Sequence, residues 1–377
     1  MRAAVAQCPA SDTRNSLTPV CCSSRGLALS HHSGAEPSVS TASADPLENP
    51  LAIELRSRLV KAELATRRPP GGGTNPWRDV AGCKVLVPMG EPAAAVHLVG
   101  GALVGQVPAL VYDKLARALC DAGGFLVVAT PYTAELDHGA VAEATQSAFC
   151  KAVTACGPAF GFDAAGLVRH AVGHSLGSKL AMLSAAGGGY DDGGAPSRVY
   201  LCGFTQATAQ DQVGLLESLA EALLRGTPAA LAVPGIAAVA RRAAQAARIE
   251  FTPDVEATLA AAAELGARSA AEVRVAAFGA DPLDASMALL LALRSKDVDS
   301  GVTRGARVTS IVMPGLGHLA PCAVSVTAEQ LGEGAAAAAE SAGIGGGGFS
   351  LGDESAVDAV AMDAVAFLKG FAPAESV

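Results

Sequence analysis

From Trp77 onward, short apolar runs alternate with segments of helical period, and this rhythm limits the chain to few architectures. Val85–Val87, Ala95–Val99, Phe125–Ala129, Val168–Val172, Val199–Phe204, Val273–Phe278 and Val308–Met313 read as buried strands. Between the second and third, Pro108–Cys120 places Leu110, Val111, Leu115 and Leu119 at helical spacing and reads as one helix. Parallel neighbours need a crossover, usually a helix, so this order predicts an α/β fold: a doubly wound, mostly parallel sheet covered on both faces.

Residues 207–268 break the rhythm. They form an Ala/Leu-rich helical stretch punctuated by Pro228, Pro234 and Pro253, with no strand pattern. Such an insertion late in a doubly wound fold is either a cap over a site or an embellishment on the sheet edge. The Gly345–Gly348 run reads as a loop before a final helix, roughly 355–370. Half of the 377 residues are hydrophobic and 17% are charged, enough apolar matter for a full-sized core.

The net charge of −9 argues against nucleic acid or an anionic membrane as the main partner. No apolar run approaches the ~18 residues of a transmembrane helix. Residues 1–44 contain Arg2, Arg14 and Arg25, no Lys, only two acids, and abundant Ser, Thr and Ala. That is the composition of an organellar transit peptide, more chloroplast-like than secretory, which would place the mature protein in the stroma; the other reading is a disordered tail with no address. Residues 45–76 read as a linker with a short amphipathic segment at 51–66, and 77–377 as the domain proper. The nine cysteines form no C-x-x-C pair and no metal-ligand spacing, which predicts reduced thiols and no zinc site.

Gly173-His174-Ser175-Leu176-Gly177 matches G-x-S-x-G. The chemistry behind the pattern is a sharp strand-to-helix turn, where small flanking residues let the backbone bend and the serine oxygen stands clear of the sheet. Roughly 0.3 chance matches are expected in a chain this rich in glycine, so context must decide. A second match, Gly348-Phe349-Ser350-Leu351-Gly352, follows a glycine run and has no histidine after it. Ser175 follows a strand candidate and precedes a good helix start at Lys179–Ala185, so it is the candidate nucleophile and Ser350 a decoy.

A nucleophilic serine needs a base and an orienting acid, which this kind of fold supplies in the order Ser, Asp/Glu, His. Asp281 and Asp284 lie just beyond Val273–Phe278, and His318 just beyond Val308–Met313. Both positions belong to the carboxyl ends of strands, where open parallel sheets bind ligands. His318 is the expected base, because no other histidine follows Ser175. Asp281 is the expected acid, and Asp284 is the alternative acid, read otherwise as the N-cap of a helix over Ala285–Leu293. The Leu176 amide and that of Gly101 or Ala102, in the turn after Ala95–Val99, are the expected oxyanion donors. His174 is expected to pack beside the nucleophile without moving a proton, and His138 and His170 to be surface or satisfied core residues. No G-x-G-x-x-G follows a strand and no P-loop pattern exists, so no nucleotide cofactor is expected.

The chain resembles an α/β-hydrolase-like family of unknown function found in plants, algae and cyanobacteria, from about Val96 to Pro321. The shared residues are His97-x-x-Gly100-Gly101, Pro131-Tyr132, Asp137-His138, the Gly173–Gly177 elbow, Phe251-Thr252-Pro253 with Glu256-x-Thr258, and Asp281-x-x-Asp284. Thr252 and Pro253 read as the cap and first residue of a helix. Two motifs depart from that family: its Phe-Asn-Asn is Phe204-Thr205-Gln206, and its Gly-Asn-His-x-Thr-Pro is Gly315-Leu316-Gly317-His318-Leu319-Ala320-Pro321. The resemblance implies an α/β-hydrolase fold and a plastid setting, and names no substrate. Together these residues predict a serine hydrolase for an ester or thioester, with a small-molecule or lipid-like acyl substrate and neither cofactor nor metal. Acyl transfer to an alcohol would use the same residues. The alternative is a silent hydrolase fold that binds or scaffolds.

Overall fold

The computed structural model describes residues 50–66, 76–191, 197–206, 213, 214, 217, 220, 231–247, 250–268, 271–295, 307–326 and 349–371. Residues 1–44, expected above to be a transit peptide, the 67–75 part of the expected linker and the Gly345–Gly348 run lie outside the described residues. After α1 (Pro50–Thr66) come β1 (Arg78–Val80), β2 (Cys83–Leu86) and β3 (Ala95–Val99). A 3-10 turn at Val104–Gln106 then leads into α2 (Pro108–Val111), α3 (Asp113–Asp121) and β4 (Leu126–Ala129). Next are α4 (His138–Phe160), β5 (Arg169–His174), α5 (Leu176–Ala186) and β6 (Ser197–Cys202). The remainder supplies α6 (Val233–Ala247), α7 (Val255–Gly266), β7 (Ala271–Phe278), α8 (Ser286–Arg294), β8 (Arg307–Met313), β9 (Ala323–Val326), β10 (Phe349–Gly352) and α9 (Glu354–Leu368).

The main sheet runs β1-β2-β4-β3-β5-β6-β7-β8. β2 pairs antiparallel with β1 and β4, and every pairing from β4 to β8 is parallel. Chain direction across the sheet reverses around β3: β4 lies on one side of it and β5 on the other. Right-handed crossovers therefore put α3 on one face and α4, α5, α7 and α8 on the opposite one. The packing agrees, with α3 against α9 and α4, α5, α7 and α8 as successive neighbours. This strand order with its flanking helices is the α/β-hydrolase fold.

Burial follows position in the sheet. All five residues of β3 and all four of β4 are buried, whereas β8 at the edge is largely half-exposed. That is why the central strands read as mostly apolar segments with no regular alternation. α9 buries Val357, Val360, Ala361, Ala364, Phe367 and Leu368, one helical stripe, each large side chain contributing about 1.5–3 kcal/mol when fully buried. Beneath it the Arg274 guanidinium, 2% exposed, pairs with Asp363 at 2.8 Å.

Three expectations change. Pro108–Cys120 is two helices, because Tyr112 between them has non-helical φ −107° and ψ 15°. The insertion is not one unit. Its α7 buries Ala262 and Leu265 and packs against α5 and α8, so it belongs to the layer covering the sheet. Of the rest, α6 is described, while most of 207–230 lies outside the described residues. Finally, α7 starts at Val255, not Pro253. Asp254 is its N-cap, accepting the Ala257 amide at 2.8 Å, so Thr252 does not cap it. β1 and the β9–β10 pair have no counterpart among the expected strands.

Candidate active site

β5 ends in the turn Gly173–Gly177, and α5 begins at Leu176. Ser175 sits between them with φ +57° and ψ −123°, a left-handed backbone that a non-glycine residue adopts only under constraint. The flanking glycines make the bend possible. A Cβ on Gly173 would stand 2.5 Å from the Gly177 carbonyl oxygen, and one on Gly177 would stand 2.1 Å from that of Val99. Ser178 braces the turn from below, donating its hydroxyl to the carbonyls of Gly173 (2.8 Å) and Cys202 (2.9 Å). Ser350, by contrast, lies on β10 opposite Ser325 of β9, with no elbow around it.

The loops after β7 and β8 are zipped by backbone bonds: the Gly279 amide donates to Met313 O and the Ala280 amide to Leu316 O, both at 2.9 Å. This pairing brings Asp281 beside His318. The His318 Nδ1–H donates to Asp281 Oδ2 at 2.7 Å, and His318 Nε2 lies 2.9 Å from Ser175 Oγ. A carboxylate only accepts, so the neutral ring carries its proton on Nδ1 and Nε2 is free to accept from the serine hydroxyl. The Asp281 side chain is fully buried, and its other oxygen accepts the Leu283 amide at 2.9 Å.

Asp284 does not take part in this chain. Its Oδ2 accepts the Phe278 amide at 3.0 Å and its Oδ1 accepts the Ser286 amide, tying the end of β7 to the start of α8. The N-cap position itself is Ala285, so Asp284 holds the helix start from one residue earlier than expected.

The turn after β3 faces the serine across the point where the strand order reverses, the place where open α/β sheets bind ligands. A Cβ on Gly101 would stand 3.3 Å from Ser175 Cβ and 3.6 Å from its Oγ. Two tyrosines hold this turn: Tyr132, of the shared Pro131-Tyr132 pair, and Tyr112, which no motif marks. Tyr132 donates its hydroxyl to Gly100 O at 2.7 Å. Tyr112 accepts the Gly101 amide at 2.8 Å. The expectation that Gly101 or Ala102 is an oxyanion donor therefore narrows to Ala102, because the Gly101 N–H is already taken. The Leu176 amide lies in the first turn of α5, where no intrahelical acceptor exists.

His174, one residue before the serine, is 1% exposed. Its Nε2–H donates to the His318 backbone carbonyl at 2.7 Å, and its Nδ1 accepts from the Tyr112 hydroxyl at 2.8 Å. Burial, aided by the neighbouring His318 ring, pushes it down to about 3, so it stays neutral. His97 is also buried and neutral, lowered to about 3 by burial, but its partners are Tyr190 and Thr130, both at 2.8 Å. His138 stacks on Phe251 at 4.5 Å, and His170 Nδ1 accepts the Arg198 amide, so both are buried in the fold. Among the described residues, no group of three or more His, Cys, Asp or Glu could hold a metal ion. No helix among them is long and apolar enough to cross a membrane, and the six described cysteines are free thiols.

A family profile described as a protein of unknown function, DUF1350, matches residues 76–335. The chain belongs to this family. In this DUF1350 protein the matched region holds Ser175, Asp281 and His318, while Ser350 lies beyond it. A comparison with curated proteins finds no match. Among solved structures, a thermostable esterase from Pseudomonas putida ECU1011 is 17% identical over 89% of this chain and 92% of its own, with a TM-score of 0.48. The 2-hydroxy-6-oxo-6-phenylhexa-2,4-dienoate hydrolase from Rhodococcus sp. strain RHA1 is 19% identical, over 64% of this chain and 91% of its own, with a TM-score of 0.37. An esterase from Pyrobaculum calidifontis is 16% identical over 82% of this chain and 92% of its own, with a TM-score of 0.39. The fold assignment of the DUF1350 protein rests on its strand order and not on these values.

Proposed function

We propose that the protein is a serine hydrolase acting on an ester or thioester. The observation that carries this reading is the unbroken line Ser175 Oγ, His318 Nε2, His318 Nδ1, Asp281 Oδ2, with separations of 2.9 and 2.7 Å. Ser175 Oγ attacks the acyl carbon while its proton passes to His318 Nε2. Asp281 holds the ring in the Nδ1–H tautomer and stabilises the imidazolium that forms. The Leu176 and Ala102 amides take the oxyanion. As the tetrahedral centre collapses, its bond to the alkoxide or thiolate breaks, and Nε2–H protonates that leaving group. Water then repeats the sequence on the acyl-enzyme, giving its proton to Nε2, and the acid leaves with Ser175 restored.

The test is hydrolysis of p-nitrophenyl acetate with acid-quenched samples mapped by mass spectrometry. An acetyl group on the peptide containing Ser175, absent after Ser175→Ala, supports the proposal. Turnover that survives Ser175→Ala would overturn it.

A further inference from the structure

The loop that carries His318 is held through backbone bonds, with the Ala280 amide donating to Leu316 O at 2.9 Å, the Ala320 amide to Gly317 O at 3.0 Å and the Cys322 amide to Leu319 O at 2.9 Å. In Pro314-Gly315-Leu316-Gly317-His318-Leu319-Ala320 only His318 has a polar side chain. Its ring is committed to Asp281 and Ser175, so the position of its backbone depends on bonds from elsewhere. The one at His318 itself comes from His174.

The partners of His174 run in one direction without a gap. The Gly101 amide donates to Tyr112 Oη, the Tyr112 hydroxyl donates to His174 Nδ1, and His174 Nε2–H donates to the His318 carbonyl, at 2.8, 2.8 and 2.7 Å. Each hand-off is forced. A carbonyl only accepts, so Nε2 carries the proton; a neutral ring then leaves Nδ1 as acceptor; the phenol must donate there and accept from the amide. The Cys322 thiol, the Tyr132 phenol, Asp281 and the His318 ring are the other titratable groups around this line. It is a second hydrogen-bonded path, behind the Ser–His–Asp line, from the oxyanion turn to the base.

We propose that His174 is a positioning residue for this site, holding the Gly101 turn and the His318 backbone in register as one unit. The proposal rests on the serine-hydrolase reading above. His97 provides the contrast, since it is equally buried with two hydrogen bonds, but neither partner touches the serine, the base or the glycine turn. A purely structural histidine would behave like His97. A positioning one fixes reacting atoms, where a displacement of about 1 Å costs about 10²-fold in rate.

The experiment measures the rate at which a fluorophosphonate labels Ser175 in the full chain, with melting temperature as the control for folding. Wild type is compared with His174→Phe, His174→Gln, Tyr112→Phe and His97→Gln. His174→Phe, which removes both bonds, should label about 10²-fold more slowly. His174→Gln keeps a donor for the His318 carbonyl and should recover to within about tenfold of wild type. Tyr112→Phe, which cuts the path at its middle, should slow labelling, while His97→Gln lowers the melting temperature and leaves the rate of the folded fraction unchanged. If His174→Phe does not fold, the Gln and Tyr112→Phe variants carry the comparison. Wild-type rates in every folded variant at His174 and Tyr112 would overturn the proposal.

A second readout does not depend on the serine. The imidazole nitrogen spectrum should show His174 as the Nε2–H tautomer and still neutral at about pH 5, where an ordinary histidine is mostly protonated. The His318 carbonyl-carbon resonance should shift in His174→Phe and stay near wild type in His174→Gln. An Nδ1–H tautomer, or an unmoved His318 carbonyl, would overturn the proposal. Failure of the hydrolase reading would look different: no label on wild type, with these two resonances as described.

Discussion

Asp281 and Asp284 stand three residues apart on one turn and share no partner. The first gives an oxygen to His318, and the second gives both oxygens to backbone amides at the ends of β7 and α8. On the proposed function the first carboxylate orients the base and the second only holds backbone, which a pair of substitutions can separate. Asp281→Asn should cut turnover by roughly 10⁴-fold, because the histidine loses its tautomer and its counter-charge. Its melting temperature should barely move.

Asp284→Ala leaves two amides without acceptors, so it should cost about 1–3 kcal/mol of stability and keep most of the activity. In a domain of this size each 1 kcal/mol moves the melting temperature by about 2–4 °C. Calorimetry and an ester assay on the two variants read both quantities. The reverse pattern would make Asp284 the acid.

Gly101 and Gly177 lie close together but should fail differently when given a methyl group. A Cβ on Gly177 meets the Val99 carbonyl oxygen at 2.1 Å, backbone against backbone, so Gly177→Ala should not yield folded protein. A Cβ on Gly101 meets the Ser175 side chain at 3.3 Å, a contact that small shifts can relieve. Gly101→Ala should fold and lose about 10²-fold in activity by displacing the nucleophile. Solubility and circular dichroism separate the two, and an active Gly177→Ala would contradict the elbow described above.

Much of this arrangement was legible before any coordinates. Seven of the eight strands of the main sheet are legible as short, mostly apolar segments set between helical patterns; β1, three residues long and mostly exposed, is not. The Ser, Asp, His order marks the candidate site because each residue lies within five positions of the carboxyl end of a strand. Tyr132 stands in a shared Pro-Tyr pair that says nothing of its partner, and Tyr112 and the path through His174 leave no local trace. Tyr112 and His174 are 62 positions apart and His174 and His318 are 144 apart, and no spacing rule spans such distances. The break at Tyr112 was hidden for a related reason: the residues around it keep helical spacing, while the inward turn that sends its hydroxyl to Gly101 is a tertiary effect. The sequence leaves the insertion open between cap and embellishment because α7 is as Ala-rich as its surroundings, and only packing against α5 and α8 assigns that helix to the sheet's helical layer.

Stability should fall as pH drops below about 6.5. His97, His138 and His174 are each lowered to about 3 in the folded protein, chiefly by burial, whereas the unfolded chain protonates them near 6.5. Between those values the unfolded state binds more protons, so acid favours unfolding by up to about 1.4 kcal/mol per pH unit for each histidine. Above 6.5 their contribution is fully present and constant. Urea midpoints measured from about pH 7.5 down to about pH 5 should decline steadily on the acid side. A flat profile would mean that these rings are not held neutral.

The central claim is that Ser175 is an activated nucleophile, and labelling of the purified chain by a fluorophosphonate tests it without knowledge of the substrate. The reagent phosphonylates a serine whose proton can be removed by a neighbouring base, as the 2.9 Å contact with His318 Nε2 allows. Label is expected on wild type and on Ser350→Ala, mapped to the peptide containing Ser175, and none on Ser175→Ala. Label that persists in Ser175→Ala, or that disappears only in Ser350→Ala, would contradict it.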